Sequence, residues 1–227
     1  MTEYKSDIPS NAVERSVSAY RSEGGRTSLE KRECTVDGEI VGYRYYDEDS
    51  ALTIETPVRS GVKHGMEYTW DDGCLKLAAP CENGLPHGTA RQWTDDGTLV
   101  GTYTLDRGTG YDLWRHRGEN GGHYISEIHS MKDGYPHGFE WWVNEDQVTV
   151  WREVHWRDGR HGIERQWDHK GNLDPGFPKF HIEDAVVDRE TYIERQKTDA
   201  SLPRYAEEDD RNTRSFPDDV VAAMNPD

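Results

Sequence analysis

Met66, Tyr68 and Trp70 alternate with Glu67 and Thr69, and after Asp71-Asp72-Gly73 the alternation resumes in Leu75, Leu77, Ala79 and Cys81. A period of two marks a strand with one buried face, and an Asp-Gly pair between two such runs marks a tight hairpin. Asn83-Gly84 closes the return strand and the pattern restarts. Trp93, Asp95-Asp96-Gly97, Leu99, Tyr103 and Leu105 repeat it, and Phe139, Trp141 and Val143 followed by Val148, Val150, Val154 and Trp156 repeat it again. These runs predict a meander of hairpins in one antiparallel sheet, an all-β chain.

The hairpins share a phrase: GVKHGMEYTWDDG from Gly61, GLPHGTARQWTDDG from Gly84, GYPHGFEWWVNED from Gly134 and GRHGIERQWDHKG from Gly159. The second glycine of each phrase falls at Gly42, Gly65, Gly88, Gly110, Gly138 and Gly162, a step of roughly 22–28 residues that identifies a repeat array. One copy is worn, with Thr109 where the four phrases above carry His. Ahead of the array, Tyr20 and Gly24-Gly25 read as the ring and turn of a degenerate half-repeat. Past Asp174 the grammar changes: Asp188 is an N-cap for one helix that stops before Pro203. EEDDRNTRSFPDD then reads as a flexible acidic tail. The organisation is an N-terminal segment 1–37, a hairpin array 38–174, and a C-terminal helix and tail 175–227.

Composition thins the expected core. Hydrophobic residues are 33% and mean hydropathy is −1.00, but aromatics reach 11%, which suits a thin sheet whose rings each cover much area. The formal net charge of −17 argues against nucleic acid and anionic membrane and favours a basic protein partner. Cys34, Cys74 and Cys81 have no zinc or disulfide spacing, and the opening MTEYKSDIPSNAVERS has no apolar stretch, so a soluble cytoplasmic protein is expected.

The Gly-x-x-His-Gly turn, the Tyr or Trp that follows and the hairpin Asp-Gly, repeated about five times, resemble the MORN-variant repeats of the YwqK-like antitoxin family. The resemblance covers roughly residues 38–174. It implies an elongated single-layer antiparallel sheet of β-hairpins. It also implies an immunity or antitoxin role, in which the sheet binds and blocks a toxin. Related repeats are similar to scaffolds for protein assemblies, which is the alternative it leaves.

Chemistry is not the expectation. His64, His87, His137 and His161 hold equivalent turn positions about 10 Å apart, twice the strand spacing of about 4.8 Å, too far for a shared zinc ion. Each is expected to hydrogen-bond within its own turn. There is no nucleophile elbow, P-loop or dinucleotide fingerprint, and no cofactor or catalytic residue is expected.

Parity sorts the two faces. Met66/Tyr68/Trp70, Thr89/Arg91/Trp93, Tyr111/Leu113/Arg115, Phe139/Trp141/Val143 and Ile163/Arg165/Trp167 form an aromatic core face. Tyr46, Trp114 and Trp142 break the polar pattern of the other face, and Trp151 departs from the valine face beside Glu153. Trp114, Trp142, Trp151, Tyr46, Glu140 and Glu153 are therefore the expected partner-binding surface, since tryptophan is enriched at interface hot spots. The competing expectation is that the C-terminal helix folds back over these rings.

Overall fold

The computed structural model describes residues 4–21, 28–157, 160–183 and 185–225; the Gly24-Gly25 turn lies outside them. The chain is an array of antiparallel hairpins with two short helices near its C-terminal end. It forms two compact units, Met1–Arg107 and Gly108–Asp227, divided inside the repeats.

In the first unit the strands are β1 (Val13–Arg21), β2 (Ser28–Val36), β3 (Glu39–Tyr46), β4 (Leu52–Arg59), β5 (Val62–Lys63), β6 (Gly65–Asp71), β7 (Cys74–Glu82), β8 (Leu85–Pro86), β9 (Gly88–Trp93) and β10 (Leu99–Asp106). The long strands pair antiparallel in chain order, while β5 and β8 prolong the hairpins of β4 and β7. Asp37-Gly38, Ser60-Gly61, Asp72-Gly73 and Asn83-Gly84 have positive φ at both residues. That is the type I′ turn whose twist matches the strands it joins. The second glycine of each phrase has its own reason. Gly88 has φ +111°, and a Cβ there would stand 3.0 Å from the Pro80 ring of the neighbouring strand.

His64 and His87 work between turns, not within them. His64 Nδ1 accepts from the Asn83 amide at 3.4 Å, and His87 Nδ1 accepts from the Arg107 amide at 3.2 Å. Each reaches the next turn of the same edge, correcting the expectation of a bond inside its own. In the second unit Thr109 Oγ1 accepts from the Asp133 amide at 3.1 Å, so the worn copy keeps the bond with a different acceptor. The side chain of His161 lies outside the described residues.

Alternation alone misplaces some side chains. A bulge between Thr69 and Trp70 pairs Thr69 with Leu77 but Trp70 with Leu75, which puts Leu75 on the opposite face from Leu77 and Ala79. Leu75 packs with Tyr68 and Ala78, against Met66, Trp70 and Trp93. What covers this face is the N-terminal segment. Tyr4 stands edge-on to Tyr68 and Trp70, with ring centroids 4.9 and 5.1 Å apart, and its hydroxyl donates to Glu55. Tyr68 donates to the Lys5 carbonyl, Asp7 accepts from the Met66 amide, and Ile8 is buried against Gly42. These contacts fall on β3, β4 and β6. On β9 the register keeps Arg91 on the Tyr68 face as parity expects, but outside the reach of these contacts Thr89 and Arg91 are exposed, while Ala90 and Gln92 on the other face are buried.

The second unit runs β11 (Thr109–Arg117), β12 (His123–Lys132), β13 (Tyr135–Val143), β14 (Val150–Arg157), β15 (Arg160–Gln166), β16 (Lys179–Ile182) and β17 (Ala185–Val187), paired in order. Helix α1 (Arg189–Gln196) starts as expected at Asp188, which accepts from the Thr191 amide at 2.8 Å. The chain beyond it is not a loose tail. Tyr192 and Leu202 join Ile163 and Phe180 in a buried cluster, Phe216 stands edge-on to Trp141, and Val220 of α2 (Asp218–Met224) is buried. The charges that suggested disorder are spent on the sheet: Asp210 pairs with Arg165 and Arg214 with Glu153.

Candidate functional site

Cross-strand register gives the second unit two rows of opposite character. Leu113, Ile128, Trp141, Glu153 and Arg165 lie side by side across β11–β15, and all five are buried on the face that the C-terminal segment covers. Shifted by one residue, Trp114, Glu127, Trp142, Arg152 and Gln166 form a row on the other face. Asp112, His129, Glu140, Val154 and Glu164 run beside it.

Of the tryptophans on this open face, Trp142 is held on two sides. The Arg152 guanidinium lies 4.7 Å from the centroid of Trp142 and pairs with Glu164 at 3.0 Å. His129 presents its ring to Trp142 at 5.8 Å, with Nδ1 2.5 Å from Glu140 and Nε2 3.1 Å from Glu127. Trp156 Nε1 donates to Glu140. Trp151 sits in a bulge of β14 and its ring is 6.2 Å from that of Trp142. Trp114 and Trp151 keep 40% and 42% of their surface exposed, high values for the largest apolar side chain.

Burial alone would push the His129 imidazole down, but the bonds to Glu127 and Glu140 outweigh it and raise it to about 9. Glu140 is held below its ordinary range for the reciprocal reason: burial opposes, while His129 and Trp156 prevail. The acids of this face thus have partners inside the sheet, and its contact energy rests on rings more than on bare charge.

On the covered face His155, stacked on Phe139 at 4.0 Å, is pushed down to about 4, chiefly by burial. The two histidines set opposite limits. His129 binds its proton more tightly folded than unfolded, so its contribution is complete below about pH 6.5 and is lost as pH rises through 9. His155 is the converse, complete above about 6.5 and lost as pH falls toward 4. Unfolding of the second unit followed by urea titration from pH 4 to 10 is expected to show maximal stability near pH 6.5. The loss toward each extreme is on the order of 2–3 kcal/mol. His129→Gln should flatten the alkaline limb alone.

Of the residues expected at a partner surface, Trp114, Trp142, Trp151 and Glu140 come together here. Glu153 does not. It is buried on the covered face, where it pairs with Arg165 and Arg214 and accepts from the Trp141 indole. Tyr46 belongs to the first unit, where its hydroxyl donates to Glu14 and Arg32 lies over its ring. Sequence reading missed Glu127, His129 and Arg152, because only the register places them around Trp142. The C-terminal helix packs on Ile163 and Phe180, away from the open rings.

Among the described residues no group of three or more His, Cys, Asp or Glu is arranged to hold a metal, and no helix is long and apolar enough to cross a membrane. The three cysteines are free thiols, and burial raises that of Cys34 to about 11. No protein-family model, no curated protein and no solved structure matches this chain.

Proposed function

We propose that this is a non-catalytic protein-binding repeat protein of the immunity or antitoxin kind, acting in the cytoplasm by occluding a basic toxin. One observation carries the reading. Trp114, Trp142 and Trp151 share a sheet face that the C-terminal segment leaves open, with Trp142 braced between His129 and Arg152. Rings held rigid before contact lose little freedom on binding, which is how a few aromatic anchors come to dominate an interface. The formal charge of −17 supports a basic partner through fast, salt-sensitive association.

The test starts with capture from the native cell at low salt. It is expected to recover one basic, stoichiometric protein that poisons cells when expressed alone and is neutralised by this chain. In that complex Trp142→Ala should weaken binding by about 30-fold, the roughly 2 kcal/mol of a hot-spot ring, with the far-UV spectrum unchanged. Unchanged affinity would remove the open face from the interface. Several unrelated partners, or self-association alone, would replace immunity with scaffolding.

A further inference from the structure

The open face of the first unit carries a different chemistry. Lys31, Tyr45 and Ile54 are direct cross-strand neighbours on β2, β3 and β4, and Tyr43 and Thr56 form the adjoining pair. With Val58, Lys63 and Glu67 they line a pocket of about 290 Å³. Lys63 is already committed: its ammonium is 2.7 Å from Glu67 Oε2, which also accepts from Thr56 Oγ1 at 2.7 Å. Lys31 is not. Its Nζ stands 3.8 Å from the Tyr43 centroid and 6.0 Å from that of Tyr45, and it forms no hydrogen bond or ion pair with any described residue. The pocket therefore holds one uncompensated positive charge on a chain of formal charge −17.

Lys31 is half-buried, and the Tyr43 face beside its ammonium offers no acceptor for the three N–H donors. We propose that this pocket binds a small monocarboxylate with an apolar body. The carboxylate takes the Lys31 donors, and a ring or short chain lies against Ile54 and Val58 beside the tyrosines. The volume is at the lower end for ligand sites, which limits the body to about one ring. With Lys63 matched by Glu67, Lys31 is the one free cation among the pocket's described residues, and it balances a single negative charge and not the two of a phosphate dianion. The site lies within the first unit and does not rest on the partner reading above.

The experiment titrates the full chain with benzoate, benzamide and inorganic phosphate at low salt, following amide chemical shifts. Benzoate is expected to saturate with a Kd on the order of 1–10 mM, as befits so small a ligand, with shifts centred on β2–β4. Benzamide, of the same shape without charge, and phosphate, charge without a body, should each bind at least about tenfold more weakly. Lys31→Met should cost benzoate about tenfold, and Lys63→Met less. Benzamide or phosphate binding as well as benzoate, or no saturation by benzoate, would overturn the proposal, as would a folded Lys31→Met protein with unchanged affinity. Should that variant fail to fold, the comparison of the three probes on the wild-type chain decides alone.

Discussion

Glu153→Ala is expected to cost the second unit about 3–5 kcal/mol, the penalty for stranding buried charge. Glu153 is 1% exposed and fully engaged. Oε1 accepts from Arg165 Nη1 at 2.9 Å, and Oε2 accepts from Trp141 Nε1 at 2.7 Å and Arg214 Nε at 2.5 Å. Truncation leaves two guanidiniums and an indole N–H short of an acceptor in a place water reaches poorly. At a slope of about 1–3 kcal/mol per molar, the urea midpoint should fall by roughly 1–5 M. Because Arg214 and Asp210 tie the C-terminal segment to this network, the loss should be accompanied by faster proteolysis between residues 199 and 225. A midpoint within about 0.3 M of wild type would mean that the network relaxes onto solvent, and that the segment is held by its apolar contacts instead.

Tyr192→Ala is expected to cost a similar amount, about 3–5 kcal/mol, by a different mechanism. Its side chain is fully buried, its ring centroid is 5.1 Å from that of Phe180, and its hydroxyl donates to the Pro203 carbonyl at 2.8 Å. Burial also holds its phenol above the ordinary range, which favours the donor form. Truncation removes ring contacts and leaves a cavity in the cluster of Ile163, Phe180 and Leu202. Tyr192→Phe separates the parts: it keeps the ring and loses one hydrogen bond, for about 0.5–1.5 kcal/mol. Thermal unfolding of both variants checks the ratio, and equal losses would place the energy in the hydroxyl rather than in packing.

Strands and turns were legible because their signals are local. Alternation over a few residues, Asp-Gly and Asn-Gly pairs, and Asp188 ahead of a helical run each act within a handful of positions. The faces were legible only between bulges. Trp114 and Trp142 break parity within their own strands and do lie on the open side, while Leu75 follows parity on paper and is carried across by the bulge before Trp70. Glu153 was misread because its partners, Arg165 and Arg214, come from another strand and from a segment whose charges read as disorder. The Tyr4–Ile8 strap gave no sequence signal, since a single Tyr and a single Ile in a polar stretch have no period to detect.

The turn-to-turn bonds of His64, His87 and Thr109 span 19, 20 and 24 residues. Within each unit these bonds pin turns along one margin, whatever the length of chain between the pins. The difference is taken up at the far tips of the hairpins, in loops such as Thr94–Thr98 and Gly118–Gly122, each closed by its own short-range bonds. The protein therefore has a hem and a fringe. Extra residues let into the fringe at Gly118–Gly122 give up the Glu119 amide's bond to Glu145 but leave every pin in place, whereas the same residues at Asn83-Gly84 pull out the pin from His64. A peptide grafted into the fringe is then displayed by the array, and one grafted into the hem unravels it.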